Sequence, residues 1–306
     1  MNIIVQPDHG VGPVLAAVRK ANKSIDIMIF RLDIQEMRKA LAAAVARGVN
    51  VRALIAHTNR GGEKSLRKLE LGLLEAGVTV SRTADDFLRY HGKMMIVDDV
   101  LHVLGFNYTG LDIERSRSFG LVTSDKRLVK EACTLFTADA TRQPYSPSHD
   151  RFVVSPESSR DLLTKFIRDA KKQLLIYNVK VSDRLMLRLL QERAKAGVEI
   201  RLIGKIEKKI EGVEARKLAD MRLHVRAMVR DGKAVFIGSQ SLRKLELDGR
   251  REVGLIAADS RIAGKVRAVF EADWAESAGK EPQKAGEKAG AAAEAPPAKA
   301  ALSAAR

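Results

Sequence analysis

His91 is followed by Lys93 two residues on and by Asp98 five residues after that, in the run His-Gly-Lys-Met-Met-Ile-Val-Asp, with Gly105-Phe-Asn107 downstream. The arrangement returns later as His224-Val-Arg226-Ala-Met-Val-Arg-Asp231, with Gly238-Ser239-Gln-Ser241 after it. These residue types suit phosphodiester chemistry. A neutral imidazole can attack phosphorus and form a covalent phosphohistidine. A second, protonated imidazole can give its proton to the leaving oxygen and then activate water or an alcohol. Ammonium and guanidinium groups neutralise the nonbridging oxygens as charge builds. A lone His-x-Lys says little, but two copies with matching glycine turns imply one site built from two halves. This chemistry requires no metal or cofactor, and none is expected.

Positioning such groups needs strands. Alternate residues of a strand share a face, so His91 should project with Lys93, and His224 with Arg226. Met94, Ile96, Ala227 and Val229 make both strands largely apolar, as buried central strands are. The first motif strand is expected at Tyr90–Val97, with Leu101–Gly105 as its hairpin partner. The turns are Asp98-Asp99 in one copy and Asp231-Gly232 in the other, and Asp-Gly between apolar runs is a strong hairpin signal.

The repeat extends beyond the motifs. Ile3–Pro7 matches Phe152–Pro156, Asp26–Phe30 matches Leu174–Asn178, and Arg47–Arg52 matches Ala196–Arg201. Leu135–Asp139 matches Val269–Asp273, and the order is kept throughout. Two homologous halves follow, at 1–145 and 150–276, each reading β-α-β-α-β-β-α. Helices are expected at Pro13–Ala21 and Ile34–Ala46, the second closed by Gly48, and strands at Ser24–Phe30 and Val49–Ile55. The first half has an extra helix near Glu63–Ala76 and a strand at Val78–Ser81. The fold class is therefore α/β, a duplicated domain with two pseudo-twofold-related halves and one site at their interface. Residues 277–306 turn alanine-rich with Lys, Glu, Gly and Pro, and are expected to be disordered.

The 306 residues are long enough for two cores, and the net charge of +16 favours polyanionic partners such as phosphodiesters, nucleic acid or an anionic membrane. Aromatic residues make up only 5%, which weakens a base-stacking role. Cys133 is the single cysteine, so no intrachain disulfide can form and a thiolate metal site has no support. The N-terminal run lacks a signal-peptide pattern and no apolar run approaches ~18 residues, so a cytoplasmic location is expected, with peripheral membrane contact left open.

The paired His-x-Lys/Arg-x4-Asp motifs and their glycine turns resemble the phospholipase D superfamily over nearly all of residues 1–276. The resemblance implies a duplicated α/β domain acting as a phosphodiesterase or phosphatidyl transferase, a monomer that is internally a pseudo-dimer. The expected substrate is a phospholipid; a metal-independent nuclease and a degenerate anion-binding module are the alternatives. It further implies His91 and His224 as nucleophile and general acid, Lys93 and Arg226 as phosphate holders, and Asp98 and Asp231 as supports at the strand ends. Asn107, Ser239 and Ser241 stand where the family has Gly-Ser-x-Asn. Family members also carry a carboxylate about 20 residues after the motif that orients the opposite histidine. Glu252 matches it, whereas its counterpart is the uncharged Ser118. His91 should therefore have a carboxylate partner and His224 none, which favours His91 as nucleophile. Arg226 departs from the family's lysine.

Other features carry less. His9-Gly-Val-Gly12 lacks the rest of a phosphate loop and reads as a helix start. Asp85-Asp86 has no histidine beside it to suggest metal. His57, His102 and His149 have no duplicated counterpart and read as structural or surface residues. Arg60–Lys64 and Lys205–Lys209 are candidate anion guides at the cavity rim.

Overall fold

The computed structural model describes residues 1–58 and 66–278. The Arg60–Lys64 stretch and the tail from 279 on lie outside the described residues. The first half contains β1 (Asn2–Gln6), α1 (Gly12–Lys20), β2 (Ser24–Ile29), α2 (Gln35–Ala46), β3 (Asn50–Ile55), α3 (Leu66–Glu75), β4 (Thr79–Arg82), β5 (Met94–Val97), β6 (Val100–Leu104), α4 (Gly110–Glu114), β7 (Ser116–Thr123) and α5 (Lys126–Thr141). The second contains β8 (Phe152–Ser155), α6 (Ser159–Arg168), β9 (Gln173–Val181), α7 (Arg184–Lys195), β10 (Glu199–Ile206), β11 (Val213–Arg216), β12 (Arg222–Leu223), β13 (Arg226–Arg230), β14 (Ala234–Gly238), α8 (Lys244–Asp248), β15 (Glu252–Ala257) and α9 (Ser260–Ala278).

The sheets share one topology. The first runs β1-β7-β6-β5-β2-β3-β4 and the second β8-β15-β14-β13-β9-β10-β11, strand for matching strand. In both, the α/β crossovers give parallel pairs, β2 with β3 and β9 with β10, while the motif hairpins β5–β6 and β13–β14 are antiparallel. Helix spacing explains the layers. Met37, Ala40, Leu41 and Ala44 form one buried face of α2, and Met186, Leu189 and Leu190 one of α7. Gly48 and Gly197 follow these helices with φ of 85° and 84°, a conformation that glycine adopts without a Cβ penalty.

Three apolar cores result. One lies under α1, α2 and α3 and another under α6 and α7. The third is shared: Met94, Ile96 and Phe119 of the first half pack with Tyr177, Val225 and Val253 of the second, and α5 and α9 close its sides. A pair of arginines staples this interface symmetrically. Arg117 reaches Asp273 through two hydrogen bonds of 2.9 and 3.0 Å, and Arg251 reaches Asp139 at 3.1 Å. Arg117 also donates to the Gln6 carbonyl and Arg251 to that of Ser155, at 3.0 and 2.9 Å.

Several expectations need correction. The motif strand does not span Tyr90–Val97; β5 begins at Met94 and β13 at Arg226, so both histidines precede their strands. The reason is the interface. His91 and Gly92 donate their N–H groups to Arg251 O at 2.7 and 3.0 Å, and His224 donates to Arg117 O at 3.3 Å. Gly92 allows this approach, because a Cβ there would lie 2.8 Å from Val253 Cγ2. The expected element order also lacked β7 and β15, the strands next to β6 and β14, and the short helices α4 and α8. Helix α9 runs to Ala278, just past the expected start of the tail.

Candidate active site

The segments ahead of β5 and β13 lie against each other's half, and this brings four of the expected residues to one buried centre. His91 and His224 are 6% and 7% exposed, Lys93 is fully buried and Arg226 nearly so. His91 Nδ1 lies 2.8 Å from Glu252 Oε2, so Nε2 is the ring nitrogen that this carboxylate does not engage. Phe30 fixes the ring from the other side, edge to face at 4.5 Å between centroids. Lys93 Nζ donates to the His91 carbonyl at 2.6 Å and stands 5.1 Å from the centre of the Phe30 ring. Arg226 Nε donates to Ser241 Oγ at 3.1 Å, while its Nη1 is buried and, among the described residues, without a partner.

The expectation that His224 lacks a carboxylate is overturned. Ser118 does stand at the matching position, where its hydroxyl meets the His224 carbonyl at 3.4 Å. The charge comes instead from Asp112, whose Oδ2 lies 3.4 Å from His224 Nδ1. Asp112 is held by α4: Thr109 caps the helix, the Asn107 backbone and side-chain amides donate to Oδ2 at 2.9 and 2.6 Å, and Arg222 pairs with Oδ1. Sequence reasoning missed this residue because it looked for the carboxylate at one fixed offset. The available signal was the repeat, since Glu246 sits five residues after Ser241 as Asp112 sits five after Asn107. Glu246 accepts from the Ser241 N–H at 2.6 Å in the same way.

The remaining expected residues divide. Asn107 and Ser241 orient Asp112 and Arg226. Ser239 exchanges hydrogen bonds with the backbone of Val253, next to Glu252. Asp98 and Asp231 lie outside the centre at the far ends of β5 and β13. Each carboxylate binds three consecutive backbone N–H groups: Asn22, Lys23 and Ser24 for Asp98 at 2.8–3.1 Å, and Lys171, Lys172 and Gln173 for Asp231 at 2.7–3.1 Å. Both carboxylates thus bind backbone and not the buried centre.

Burial sets the electrostatics. Burial, then Lys93 and Arg226, pushes the His91 imidazole well below its ordinary value, and burial with Arg226 does the same for His224. Burial drives the Lys93 ammonium down to about 7 despite the pull of Glu252. Burial also raises the Glu252 carboxyl, although Lys93, Ser239 and Arg226 oppose it. Against burial, His224, Asn107 and Arg222 hold Asp112 below the usual carboxylate range. In the free protein, then, two neutral imidazoles face the Arg226 guanidinium and a Lys93 amine that is cationic only below about pH 7. An anion bound here would offset that positive charge and make protonation of one imidazole easier.

Among the described residues there is no group of three His, Cys, Asp or Glu that could hold a metal ion, and no helix is long and apolar enough to cross a membrane.

The sequence matches the family model described as "Cardiolipin synthase, PLD-like domain" over residues 14–140 and 163–274. No curated protein sequence matches significantly. Among solved structures, polyphosphate kinase from Porphyromonas gingivalis is similar with a TM-score of 0.73 at 18% identity, covering 88% of this chain. This chain spans about half of that one, 46% of its length. Phosphatidylserine synthase from Haemophilus influenzae Rd KW20 is similar with a TM-score of 0.69 at 10% identity, covering 90% of this chain and 86% of its own. At these identities the structural likeness establishes the fold.

Proposed function

The chain belongs to the phospholipase D superfamily, and on that premise we propose that it is a phosphodiesterase or phosphatidyl transferase acting on phospholipid through a phosphohistidine on His91. The observation that carries this reading is that His91 and His224 arrive from different halves at one buried centre with Lys93 and Arg226, each imidazole backed by a carboxylate. The phospholipid assignment rests on the match to the cardiolipin synthase model.

Nε2 of neutral His91 attacks phosphorus as the bond to the leaving oxygen breaks, and His224 delivers a proton to that oxygen. Glu252 accepts from Nδ1 and stabilises the imidazolium-like phosphohistidine. Lys93 and the buried Nη1 of Arg226, without a partner among the described residues, neutralise the nonbridging oxygens. Neutral His224 then takes a proton from water or an alcohol, whose oxygen attacks phosphorus as the P–N bond to His91 breaks. Arginine in place of lysine at 226 keeps the charge and spreads its donors over a planar fork.

The test is hydrolysis of bis(4-nitrophenyl) phosphate and of phosphatidylglycerol vesicles in excess chelator, wild type beside His91→Ala. Chelator-resistant turnover that falls by about 10³-fold or more in the variant is expected. Equal turnover in both proteins overturns the histidine mechanism. No wild-type turnover on either substrate, with both proteins folded, turns the reading to an anion-binding module.

A further inference from the structure

The two sides of the centre are not electrically equivalent. Each histidine is preceded by an arginine two residues earlier, Arg89 before His91 and Arg222 before His224. On the His224 side the charges balance. Arg222 pairs with Asp112 and donates to Ser116 Oγ at 3.1 Å, and Thr109 only caps α4. On the His91 side the residue matching Asp112 is Glu246, but those matching Thr109 and Ser116 are Arg243 and Arg250. Both engage Glu246, each at 3.4 Å. Arg89, the mate of Arg222, is left with no carboxylate partner among the described residues.

The consequences are visible in the side chains. The Nε atoms of Arg89 and Arg250 are buried and, among the described residues, without a hydrogen-bond partner. Burial, aided by Arg250 and Arg31, pushes the Arg89 guanidinium below its ordinary value. Arg89 lies 5.9 Å from the centre of the Phe30 ring, the same ring that packs on His91 and lies under Lys93. It also lines a crevice with Phe30, His57, Thr83 and Tyr90. The backbones bring the two arginines side by side, Leu88 N donating to Gly249 O at 3.3 Å and Arg251 N to Arg89 O at 2.9 Å, and two neighbouring guanidinium groups beside His91 are suited to an anion.

We propose that Arg89 and Arg250 form a second anion subsite next to His91, which holds a further phosphate group of a substrate whose scissile phosphate lies between the two histidines. The inference rests on the reading of His91 and His224 as the phosphate centre. It narrows the substrate class to molecules with two phosphates, borne on a lipid or on a soluble polyphosphate.

Calorimetric titration of the full chain with inorganic pyrophosphate and with orthophosphate, in chelator, tests it. Wild type should bind pyrophosphate about 10-fold more tightly or better, the gain of added charge-assisted contacts. Arg89→Gln and Arg250→Ser should each remove most of that preference while leaving orthophosphate affinity within about twofold. Should Arg250→Ser melt at the assay temperature, Arg89→Gln decides. Pyrophosphate affinity unchanged in both variants, or no preference in wild type, overturns the subsite even where orthophosphate binds and the centre stands. Conversely, arginine-dependent pyrophosphate binding without any orthophosphate binding sustains the subsite and fails the centre. Displacement of pyrophosphate by detergent-solubilised cardiolipin places the second phosphate on a lipid, and displacement by ADP alone places it on a soluble polyphosphate. Displacement by neither overturns the substrate class.

Discussion

Glu252 Oε2 lies 2.8 Å from His91 Nδ1, a contact made by residues of opposite halves. In the proposed mechanism it fixes which nitrogen of His91 faces substrate and supplies the negative charge that a phosphohistidine needs. Glu252→Gln preserves size and a hydrogen bond but removes the charge and permits the wrong tautomer. We expect kcat to fall by roughly 10²–10⁴-fold with KM little changed, the pattern of an interaction made mainly in the transition state. Steady-state kinetics on the aryl diester checks it, and an unaltered kcat would remove Glu252 from the mechanism.

Asp112 plays a different part at His224. A general acid matters most when the leaving oxygen is a poor leaving group. Asp112→Asn should therefore cost about 10²-fold on an alkyl phosphodiester and only a few-fold on a nitrophenyl ester. Equal losses on both substrates would mean that Asp112 serves only to hold α4 and Arg222 together.

Lys93 titrates near 7, so phosphate capture should weaken as pH rises through that value. A bound anion favours the ammonium, so the falling limb of kcat should lie at higher pH than that of kcat/KM. Lys93→Arg, charged throughout, should abolish the limb. Stability runs the other way. The unfolded chain holds this proton up to about 10.4 and the folded chain loses it near 7. The unfolded state thus binds more protons across that window, and stability rises with pH within it. Denaturant midpoints from pH 7 to 10, wild type against Lys93→Met, would show whether that gain disappears with the lysine.

The duplicated motifs made the two halves, the mixed α/β layers and the meeting of His91 with His224 legible, because similar residue types recur in the same order. Glu252 was legible only through the resemblance, which places a carboxylate about 20 residues after the motif, since its counterpart in the repeat is Ser118. What escaped was local geometry that only the interface creates. A strand pattern placed His91 and Lys93 within β5, but the His91 and Gly92 N–H groups bind Arg251 across the interface, so the ladder starts at Met94. β7 escaped because Gly120 interrupts it and nearly all of its residues are buried, so no alternation of polar and apolar residues marks it. Asp112 escaped because a five-residue helix, too short to leave a periodic signal, swings it back to the histidine.

Asp98 and Asp231 belong to the motif yet stand apart from the chemistry. Asp98 sits at φ 50° and Asp231 at φ 52°, and each ties the start of a central strand, β2 or β9, to the motif hairpin. Hydrogen bonds from backbone amides outweigh partial burial and hold both carboxyls below their ordinary range. Their stabilisation is therefore present above about pH 4 and is lost as pH falls through the depressed folded value. Asp98→Ala leaves three backbone donors without their acceptor and places a Cβ residue with no compensating bond at positive φ, a cost of roughly 2–3 kcal/mol. Asp98→Asn tolerates the backbone and keeps one acceptor, so it should fall between. Thermal melts should rank wild type, Asp98→Asn and Asp98→Ala in that order, while kcat below the melting range stays within about twofold. A large loss of kcat at unchanged stability would instead place this aspartate in the reaction.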